Sequence, residues 1–503
     1  MEMNLLRDWP APTGRARLFF ASAQARAAQA QAPEKDVPPS EIQRAALDSS
    51  RETSAYMKGN AVRILGLGFK VFDHYDETAF RQACQAHLRR HDVYHTGFFF
   101  DENSGDWASR TMHPDDIELS GESVDVAAPG QPGDTFAEMI DVRQPRIPDW
   151  DLFSFSALGI EHAGPQADAP EFTVAICMDH LLTDGFSIFM IFEEIMMFYE
   201  AFRAGAQSLT DLPEHASHAD YARRDMAFCN QLTPDSPQVV EWQRFQALHG
   251  GGLPGFSFAT GLAERDDFAP GRMTTIPDFL SVEDSDAFEA ACKAAGGSLS
   301  AGFMAVAGLI DRLVRGSDSF TVCTPRSTRS SPAEHYTMGW FAHPVPLEFS
   351  VADTFADTVA AARQANKDVR FMIGVPVYPA QKVVDPTLSS MPPEMTSLSF
   401  IDTRLIPTYR DLAAHGFTVI GTRRNAKSVH YWVNRVGHGT NLNFMHPDTP
   451  ELAAGLPAFA DLFRQIIDEV ITTGDCNVAR DHAYWQAIVD AYEAKPAPQM
   501  RAA

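Results

Sequence analysis

The chain has 503 residues, of which 45% are hydrophobic and 21% charged, a composition typical of a globular protein with sizeable cores. Its 66 acidic and 41 basic side chains give a net charge of −25, which argues against nucleic acid and anionic membrane as partners. The N-terminal segment has no apolar signal region, and no uncharged apolar stretch approaches the roughly 18 residues of a membrane span. We therefore expect a soluble, cytoplasmic protein of roughly two to four domains.

The six cysteines are scattered, and no pair has the C-x-x-C spacing of a metal or redox site. Cys84, Cys177 and Cys323 lie in apolar or helical contexts. This pattern favours buried free thiols.

The first half of the chain alternates between strand and helix patterns. Residues 1–40 are rich in Ala, Gln and Pro, and we expect them to wrap the surface. Hydrophobic periodicity predicts strands at residues 61–71, 98–100 and 172–178, and helices at 77–90, 186–202 and 215–248. Loops are predicted at 121–133 and 163–170.

A Gly- and Pro-rich linker candidate at residues 250–271 precedes a second cycle of the same kind. The patterns predict helices at 285–295, 300–314, 350–372 and 459–471, and strands at 320–325, 396–401, 418–421, 429–436 and 440–445, with a hairpin loop at 437–439. The sequence therefore predicts an α/β protein with two lobes, residues 1–250 and 251–490, and a flexible tail at 491–503.

The most informative segment is the heptad Asp179-His180-Leu181-Leu182-Thr183-Asp184-Gly185, between a predicted buried strand and a predicted apolar helix. A rigid turn of this kind can hold His180 over a reacting group, where its ordinary pKa of about 6.5 suits a general base. Asp184 is expected to point away from His180 and to lock the loop by pairing with an arginine. Gly185 is expected to adopt a backbone shape that a Cβ would forbid and to let substrate approach closely.

Other interpretations of the heptad remain. An isolated histidine at the end of a strand is more often structural than catalytic. A metal site would have only His180, Asp179 and Asp184 as mixed ligands, so we expect none. A serine triad lacks its Gly-x-Ser-x-Gly elbow, and the chain has no Gly-x-Gly-x-x-Gly or Walker pattern for a nucleotide fold.

The heptad resembles the HHxxxDG motif of the condensation-domain superfamily, with Asp179 in place of the first histidine and His180 in place of the catalytic second one. Further segments resemble family elements in the family's order, over about residues 38–475. These are Pro39–Gln43, Arg90–Thr96, His218–Ala222, Met338–Phe341 with Pro344–Leu347, Phe400–Arg404 and Val429–Val433. The last two resemble the mycobacterial polyketide-associated (Pap) acyltransferases especially, and the family's Asp-Phe-Gly-Trp-Gly element is missing.

The resemblance implies two chloramphenicol-acetyltransferase-like lobes in a V, with the catalytic loop where they meet and a tunnel running through. It also implies direct transfer of an acyl group from a phosphopantetheine thioester, on CoA or an acyl or peptidyl carrier protein, to a hydroxyl or amine acceptor. His180 would be the general base, and no permanently bound cofactor is expected. The protein is expected to be a monomer, because the two lobes complete the site.

Supporting roles follow from the same resemblance. Asp184 would pair with Arg326 or Arg329, and Asp179 would flank the site or hold the turn. Trp340 is expected to line the lobe interface, and Trp432 and Asn443 are candidates for the tunnel wall. His91 and His95 are expected to cap and pack the end of a helix.

The leading hypothesis is an ester-forming acyltransferase of lipid or secondary metabolism. An amide-forming condensation enzyme and a noncatalytic module that docks a carrier protein are the alternatives. The replacement of the first motif histidine by Asp179 favours the docking module, whereas the intact His180, Asp184 and Gly185 favour an enzyme. The sequence does not define the acyl chain or the acceptor.

Overall fold

The computed structural model describes residues 1–52, 54–60, 63–209, 211–262, 268–387, 395–407, 410–479 and 482–493. The strands are β1 (Glu2–Leu5), β2 (Gly14–Ala21), β3 (Glu34–Lys35), β4 (Leu65–Val71), β5 (Thr96–Asp101), β6 (Asp106–Thr111), β7 (Leu119–Val126), β8 (Phe153–Leu158), β9 (Phe172–Met178), β10 (Ala269–Leu280), β11 (Ser319–Ser327), β12 (Ala342–Ser350), β13 (Ser397–Asp402), β14 (Thr418–Gly421), β15 (Asn425–Ala426), β16 (His430–Val436) and β17 (Gly439–Pro447). The helices are α1 (Ala23–Gln31), α2 (Glu41–Ser50), α3 (Ala55–Gly59), α4 (Glu77–Arg90), α5 (Phe136–Arg143), α6 (Ser187–Arg203), α7 (His218–Cys229), α8 (Pro237–Ala247), α9 (Val282–Ala294), α10 (Leu299–Arg315), α11 (Phe355–Asp368), α12 (Val377–Val384), α13 (Pro450–Thr473) and α14 (His482–Glu493).

The first large sheet has the strand order β1-β14-β4-β9-β8-β2-β7. Strand β9 pairs antiparallel with both β4 and β8, and every one of its residues is buried. Alternate side chains of β9, such as Ile176 and Cys177, enter the separate apolar clusters on the two faces of the sheet. This explains the continuous apolar run, since a central strand covered on both faces needs no polar side. The heptad begins where this strand ends.

Helices α4 and α6 cover one face of this sheet and are joined through Glu194 of α6. Its carboxylate contacts Nδ1 of His87 at 2.8 Å, Nε2 of His91 at 2.9 Å and Nε of Arg90 at 3.0 Å. His91 is the residue that caps the end of α4, and Nε2 of His95 contacts the carbonyl of Leu88 at 3.1 Å. These contacts agree with the prediction that both histidines pack the helix end.

The second large sheet has the order β12-β11-β13-β16-β17-β10-β15. One face carries Tyr431 and Phe444 into a large apolar cluster with Phe303 of α10 and Phe459 of α13. A short third sheet contains β3, β6 and β5. The mixed α/β class is therefore the predicted one.

The two large sheets are tied together at several points. Strand β14 comes from far beyond residue 250, yet it lies in the first sheet between β1 and β4. Asp48 of α2 accepts a hydrogen bond from Tyr378 at 2.9 Å and forms an ion pair with Lys382 at 3.2 Å, both on α12. The predicted division near residue 250 stays a proposal. Strand β14 belongs to the second part of the chain but lies in the sheet that the first part forms.

Some predicted elements differ from the structure. Residues 1–40 do not wrap the surface, because β1 and β2 are members of the first sheet. The predicted loop at 121–133 begins inside β7, a strand at the sheet edge whose mixed polar sequence hides the pattern. The predicted helix at 215–248 is two helices, α7 and α8, and the predicted helix at 350–372 starts only at Phe355 with α11.

At the chain's end, the predicted flexible tail at 491–503 overlaps α14, which extends to Glu493, and residues 494–503 lie outside the described residues. Residues 263–267 of the predicted linker also lie outside them. All six cysteines are buried free thiols, which confirms that prediction. Within the described residues, no single helix could cross a membrane by length and apolar composition; α9 and α10 meet this test only as a pair, bent by 88°.

Candidate active site

The heptad forms a tight turn at the end of β9, fixed on both sides by neighbouring backbone. The amide of Asp179 donates to the carbonyl of Leu152 at 2.8 Å, and the amide of His180 donates to the carbonyl of Arg63 at 2.8 Å. The Asp179 carboxylate accepts a hydrogen bond from the Leu181 amide at 2.9 Å and pairs with the Arg63 guanidinium at 3.1 Å. Asp179 therefore holds the turn, one of the two roles suggested for it by the sequence.

Helix α2 supports the same turn from outside the sheet. Ser40 and Gln43 form a capping box at the start of α2, in which the Gln43 side chain accepts the Ser40 amide at 3.0 Å. The side-chain amide of Gln43 also donates to the carbonyl of Leu181 at 2.8 Å. The Ser-x-x-Gln segment thus connects a helix start directly to the heptad.

The His180 imidazole lies where residues of the two sheets meet. The residue is partly exposed, and its Nδ1 is buried without a hydrogen-bond partner among the described residues. The ring of Trp340 lies against it, with 4.1 Å between ring centroids and 41° between planes. Trp340 lies between β11 and β12 in the second half of the chain, so this contact joins His180 to a segment 160 positions away. Packing of the two rings restricts rotation of the imidazole.

Burial lowers the pKa of His180 below its ordinary value, and the nearby guanidinium of Arg63 adds to this effect. The backbone carbonyl of His180 itself and the carboxylates of Asp184 and Asp179 oppose the shift, but the net direction is downward. The imidazole is therefore neutral near pH 7 and able to accept a proton.

Asp184 turns away from His180 and binds Arg329 in the second half of the chain. Its two carboxylate oxygens contact the guanidinium at 2.7 and 3.2 Å, and the side chains of both residues are at most 2% exposed. The same carboxylate accepts the amides of Ser187 at 2.8 Å and Phe341 at 3.0 Å. One side chain thus fixes the start of α6 and the segment that carries Trp340.

The surroundings of Asp184 lower the pKa of its carboxyl group. Burial alone would raise the pKa of Asp184, but Arg329 and the two backbone amides outweigh burial, and the net shift is downward. The Arg329 guanidinium lies over the rings of Phe186 and Phe341, at 4.9 and 4.3 Å from their centroids. The pair is therefore charged in a water-poor setting.

Gly185 does not have the strained backbone that the sequence suggested. Its φ is not in the left-handed region, and a Cβ there would meet nothing within 4 Å. The glycine with that constraint is Gly339, whose φ is +143° and whose added Cβ would overlap Cδ2 of His218. The open space beside Gly185 still agrees with a substrate that approaches closely.

These two glycines give a matched prediction. Gly185→Ala should change the free energy of unfolding by no more than about 0.5 kcal/mol, because no strain or overlap results. Gly339→Ala should lower it by about 1–3 kcal/mol, because the residue would occupy a disfavoured backbone region. Urea denaturation of both variants measures the difference; equal losses would contradict the assignment of the strained position to Gly339.

The remaining predicted site residues, Arg326, Trp432 and Asn443, have partners outside the heptad. Arg326 is not the partner of Asp184, because it lies within β11 and its guanidinium contacts Asn366 of α11. Trp432 and Asn443 face each other across β16 and β17 in the second sheet. Asn443 is fully buried and accepts a hydrogen bond from Thr275 at 2.8 Å. No contact joins either of them to His180 among the described residues, so the tunnel-wall role stays a proposal.

Two further features bear on the site's chemistry. Among the described residues, the grouping of His87, His91 and Glu194 has metal-ligand spacing, but one ring nitrogen of each histidine already contacts the Glu194 carboxylate. His180 lines none of five cavities of about 210–780 Å³ in the described chain. The tunnel to His180 stays a prediction.

Sequence reasoning missed three contributors to the turn: Arg63, Ser187 and the contact made by Gln43. The capping box was a usable signal for the start of α2, but nothing in the pattern indicated that Gln43 also binds Leu181. Arg63 lies just before β4, outside any strand or helix, and belongs to no motif that would have indicated a role. Ser187 donates to the carbonyl of Gly339 at 3.1 Å, a contact between residues 152 positions apart.

A mixed α/β fold with two large sheets and a histidine in a DHxxxDG turn is the arrangement that the resemblance to the condensation-domain superfamily implies. The model of the condensation domain matches residues 67–387. The chain is 30% identical over 488 residues to trehalose-2-sulfate acyltransferase PapA2 of Mycobacterium tuberculosis, covering 94% of this chain and 98% of the relative. The chain belongs to the condensation-domain family, and it is an acyltransferase.

Other known proteins are also similar to the chain over most of its length. The acyltransferase PapA3 of Mycobacterium tuberculosis is 27% identical, with coverage of 94% of this chain and 98% of the relative. A solved structure of the PapA2 acyl transferase superposes with a TM-score of 0.82 at 28% identity, covering 94% of this chain and all of that one. The condensation domain of the Monacolin K polyketide synthase MokA shares the fold, with a TM-score of 0.64 at 15% identity over 88% of this chain and 98% of that one.

Proposed function

We propose that the protein transfers an acyl group from a phosphopantetheine thioester, on CoA or a carrier protein, to a hydroxyl of a sugar-like acceptor. The observation that carries this proposal is the partly exposed, neutral imidazole of His180, held between the two lobes by the turn and by Trp340. The name of the relative PapA2 supports a sugar hydroxyl as the acceptor.

His180 acts as the general base. Since Nδ1 is buried, Nε2 is the nitrogen that accepts the proton from the acceptor hydroxyl. The oxygen attacks the thioester carbonyl, a C–O bond forms, and the tetrahedral intermediate collapses with cleavage of the C–S bond. The imidazolium then returns the proton to the thiolate, which leaves an ester and a free thiol. No acyl-enzyme is formed, and no permanently bound cofactor takes part.

The residues around His180 set its geometry. Asp179 replaces the first motif histidine without loss of the turn, because its carboxylate binds both the Leu181 amide and Arg63. This weakens the case for a noncatalytic docking module, which rested on that replacement. Asp184 acts by fixing the loop to the opposite lobe. Both lobes contribute to one site, so a monomer is sufficient.

Product analysis tests the proposed reaction. The protein is incubated with acyl-CoA thioesters of several chain lengths and with trehalose or its amino-sugar analogue, while free thiol is measured and products are identified by mass. We expect thiol release coupled to an ester that alkaline hydroxylamine cleaves. An amide would establish the condensation alternative, and carrier-protein binding without turnover would establish the docking module.

The pH dependence provides a second test. Protonated His180 cannot accept a proton, so kcat/KM should fall as the pH drops through the pKa of the free enzyme's imidazole. Because this pKa is lowered, the midpoint should lie below about 6.5. Thermal melting at each pH separates this limb from acid unfolding. A midpoint above that value, with the fold intact, would contradict the assignment.

A further inference from the structure

We propose that Asp225, on α7, is a positioning residue for His180, and that loss of its proton loosens the turn that holds the imidazole. Asp225 binds the first turn of α2, the helix whose Gln43 donates to the carbonyl of Leu181. This role presupposes the proposed function, in which His180 is the general base. It gives the reaction a second pH-dependent group, one that lies outside the heptad.

Two hydrogen bonds connect Asp225 to the heptad through α2. The amide of Glu41, the first residue of α2, donates to the Asp225 carboxyl group at 2.8 Å. The side-chain amide of Gln43 donates to the carbonyl of Leu181 at 2.8 Å. Asp225, Glu41 and Gln43 are 7%, 7% and 1% exposed, so the path is closely packed. A displacement of Glu41 is therefore passed to the residue that follows His180, because packed interiors transmit strain.

The same face of α7 also supports the Trp340 side of the imidazole. Tyr221 lies one helical turn before Asp225, and its ring packs against that of Phe341, with 4.3 Å between the centroids. Phe341 follows Trp340, whose ring lies against His180. Helix α7 is thus in contact with two supports of the imidazole, the heptad through α2 and the Trp340 segment directly.

The Asp225 carboxyl group changes its charge near neutral pH. Burial raises its pKa to about 7, and the carboxylate of Glu41 adds to the shift, whereas the Glu41 amide and the Arg224 guanidinium oppose it. Burial also raises the pKa of Glu41. Above a pH of about 7, two carboxylates therefore face each other at a position where each residue is 7% exposed. Below that pH, Asp225 is protonated and only Glu41 can carry a charge.

The cations around this junction are already engaged by other carboxylates. The ion pairs are Arg224 with Glu334, Arg44 with Asp106, and Lys382 with Asp48. In the last two pairs the cation lowers the pKa of Glu41 and the carboxylate raises it. The other titratable neighbours on α7, Tyr221 and Cys229, stay neutral because burial raises the pKa of each. The positive charge of Arg224 is therefore shared between Glu334 and an ionised Asp225.

Ionisation of Asp225 should weaken the hold of α2 on the heptad. The two like charges repel, so the first turn of α2 should move away from α7 and strain the bond from Gln43 to Leu181. Because the imidazole is then less firmly placed, kcat should fall about tenfold as the pH rises through about 7, in addition to the acid limb of His180. The folded pKa lies above the unfolded one, so the contribution of Asp225 to stability is present in acid and lost as the pH rises through about 7.

The pH profile of kcat in three variants tests this role. Asp225→Asn retains an oxygen that accepts the Glu41 amide but cannot ionise, so it should keep the wild-type kcat at about pH 6 and exceed it about tenfold at about pH 8.5. Asp225→Ala removes that acceptor and should lower kcat about tenfold at every pH, with KM for the thioester little changed. The matched control is Asp311→Asn in α10, another buried carboxyl group with a raised pKa, which should keep the wild-type alkaline limb.

Hydrogen exchange of the heptad tests the same link without turnover. Mass spectrometry follows the amides of Leu181 and Leu182, which bond within the turn, between about pH 6 and about pH 8.5. After correction for intrinsic exchange, these amides should lose protection in the wild type as the pH rises and keep it in Asp225→Asn. Identical exchange in the two proteins, or an alkaline limb that both share, would overturn the proposal. A difference in exchange without turnover of any thioester would support the link from Asp225 to the heptad and count against acyl transfer instead, so the two failures are separable.

Discussion

Replacing His180 with alanine should lower kcat by about 10²–10⁴-fold, the range that a general base commonly contributes. KM for the thioester should change much less, because the imidazole acts on the acceptor's proton. Thiol release from an acyl-CoA in the presence of acceptor measures the effect. Since the ring is partly exposed, its removal should leave the thermal midpoint close to that of the wild type.

The matched control is His162→Ala, which removes an imidazole that is 74% exposed and lies outside the heptad. It should keep the wild-type rate. Equal rates for wild type and His180→Ala, with coupled ester formation, would refute the base assignment. A parallel loss in the control would show that the assay reports something other than the site.

Asp184→Asn should lower the free energy of unfolding by about 3–5 kcal/mol, because it leaves the buried Arg329 guanidinium without its counter-charge. The amide would retain the shape of the carboxylate, so the loss reports charge rather than a cavity. Activity should fall as well, since the carboxylate also accepts the amides of Ser187 and Phe341. Urea denaturation followed by fluorescence measures the stability.

The control for this variant is Asp220→Asn, which breaks an exposed pair with Arg223 at 2.9 Å. That pair should contribute at most about 1 kcal/mol. A loss for Asp184→Asn no larger than for Asp220→Asn would contradict the structural role of the buried pair. Lowering the pH should also remove the contribution of Asp184, because its folded pKa is depressed and the contribution is lost as pH falls through that value.

Local signals predicted the elements that carry the heptad, because their physics is local. The apolar run at 172–178 is buried on both sides of the sheet, and the apolar pattern after residue 185 becomes α6. The capping box at Ser40 is a local signal of the same kind, since it needs only neighbouring residues, but α2 was not among the predicted helices.

Contacts between segments far apart in the sequence could not be predicted from local patterns. Arg326 and Arg329 are only three positions apart, but β11 ends between them at Ser327. Arg326 is therefore held within a strand, whereas Arg329 reaches Asp184 from a loop. Arg63 is a lone arginine whose partner Asp179 is 116 residues away. The resemblance to a family indicated a histidine at the lobe junction, whereas the placement of its supporting side chains depends on tertiary packing.

The position of strand β14 limits where the chain can be cut to make fragments or chimeras. Because it supplies the backbone partner of β1 and covers the edge of β4, a fragment that stops near residue 250 would present two unpaired strand edges to solvent. Such a fragment would be prone to self-association. Chimeras with relatives should therefore transfer residues 418–421 together with the N-terminal half, so that each sheet inherits its full set of strands from one parent.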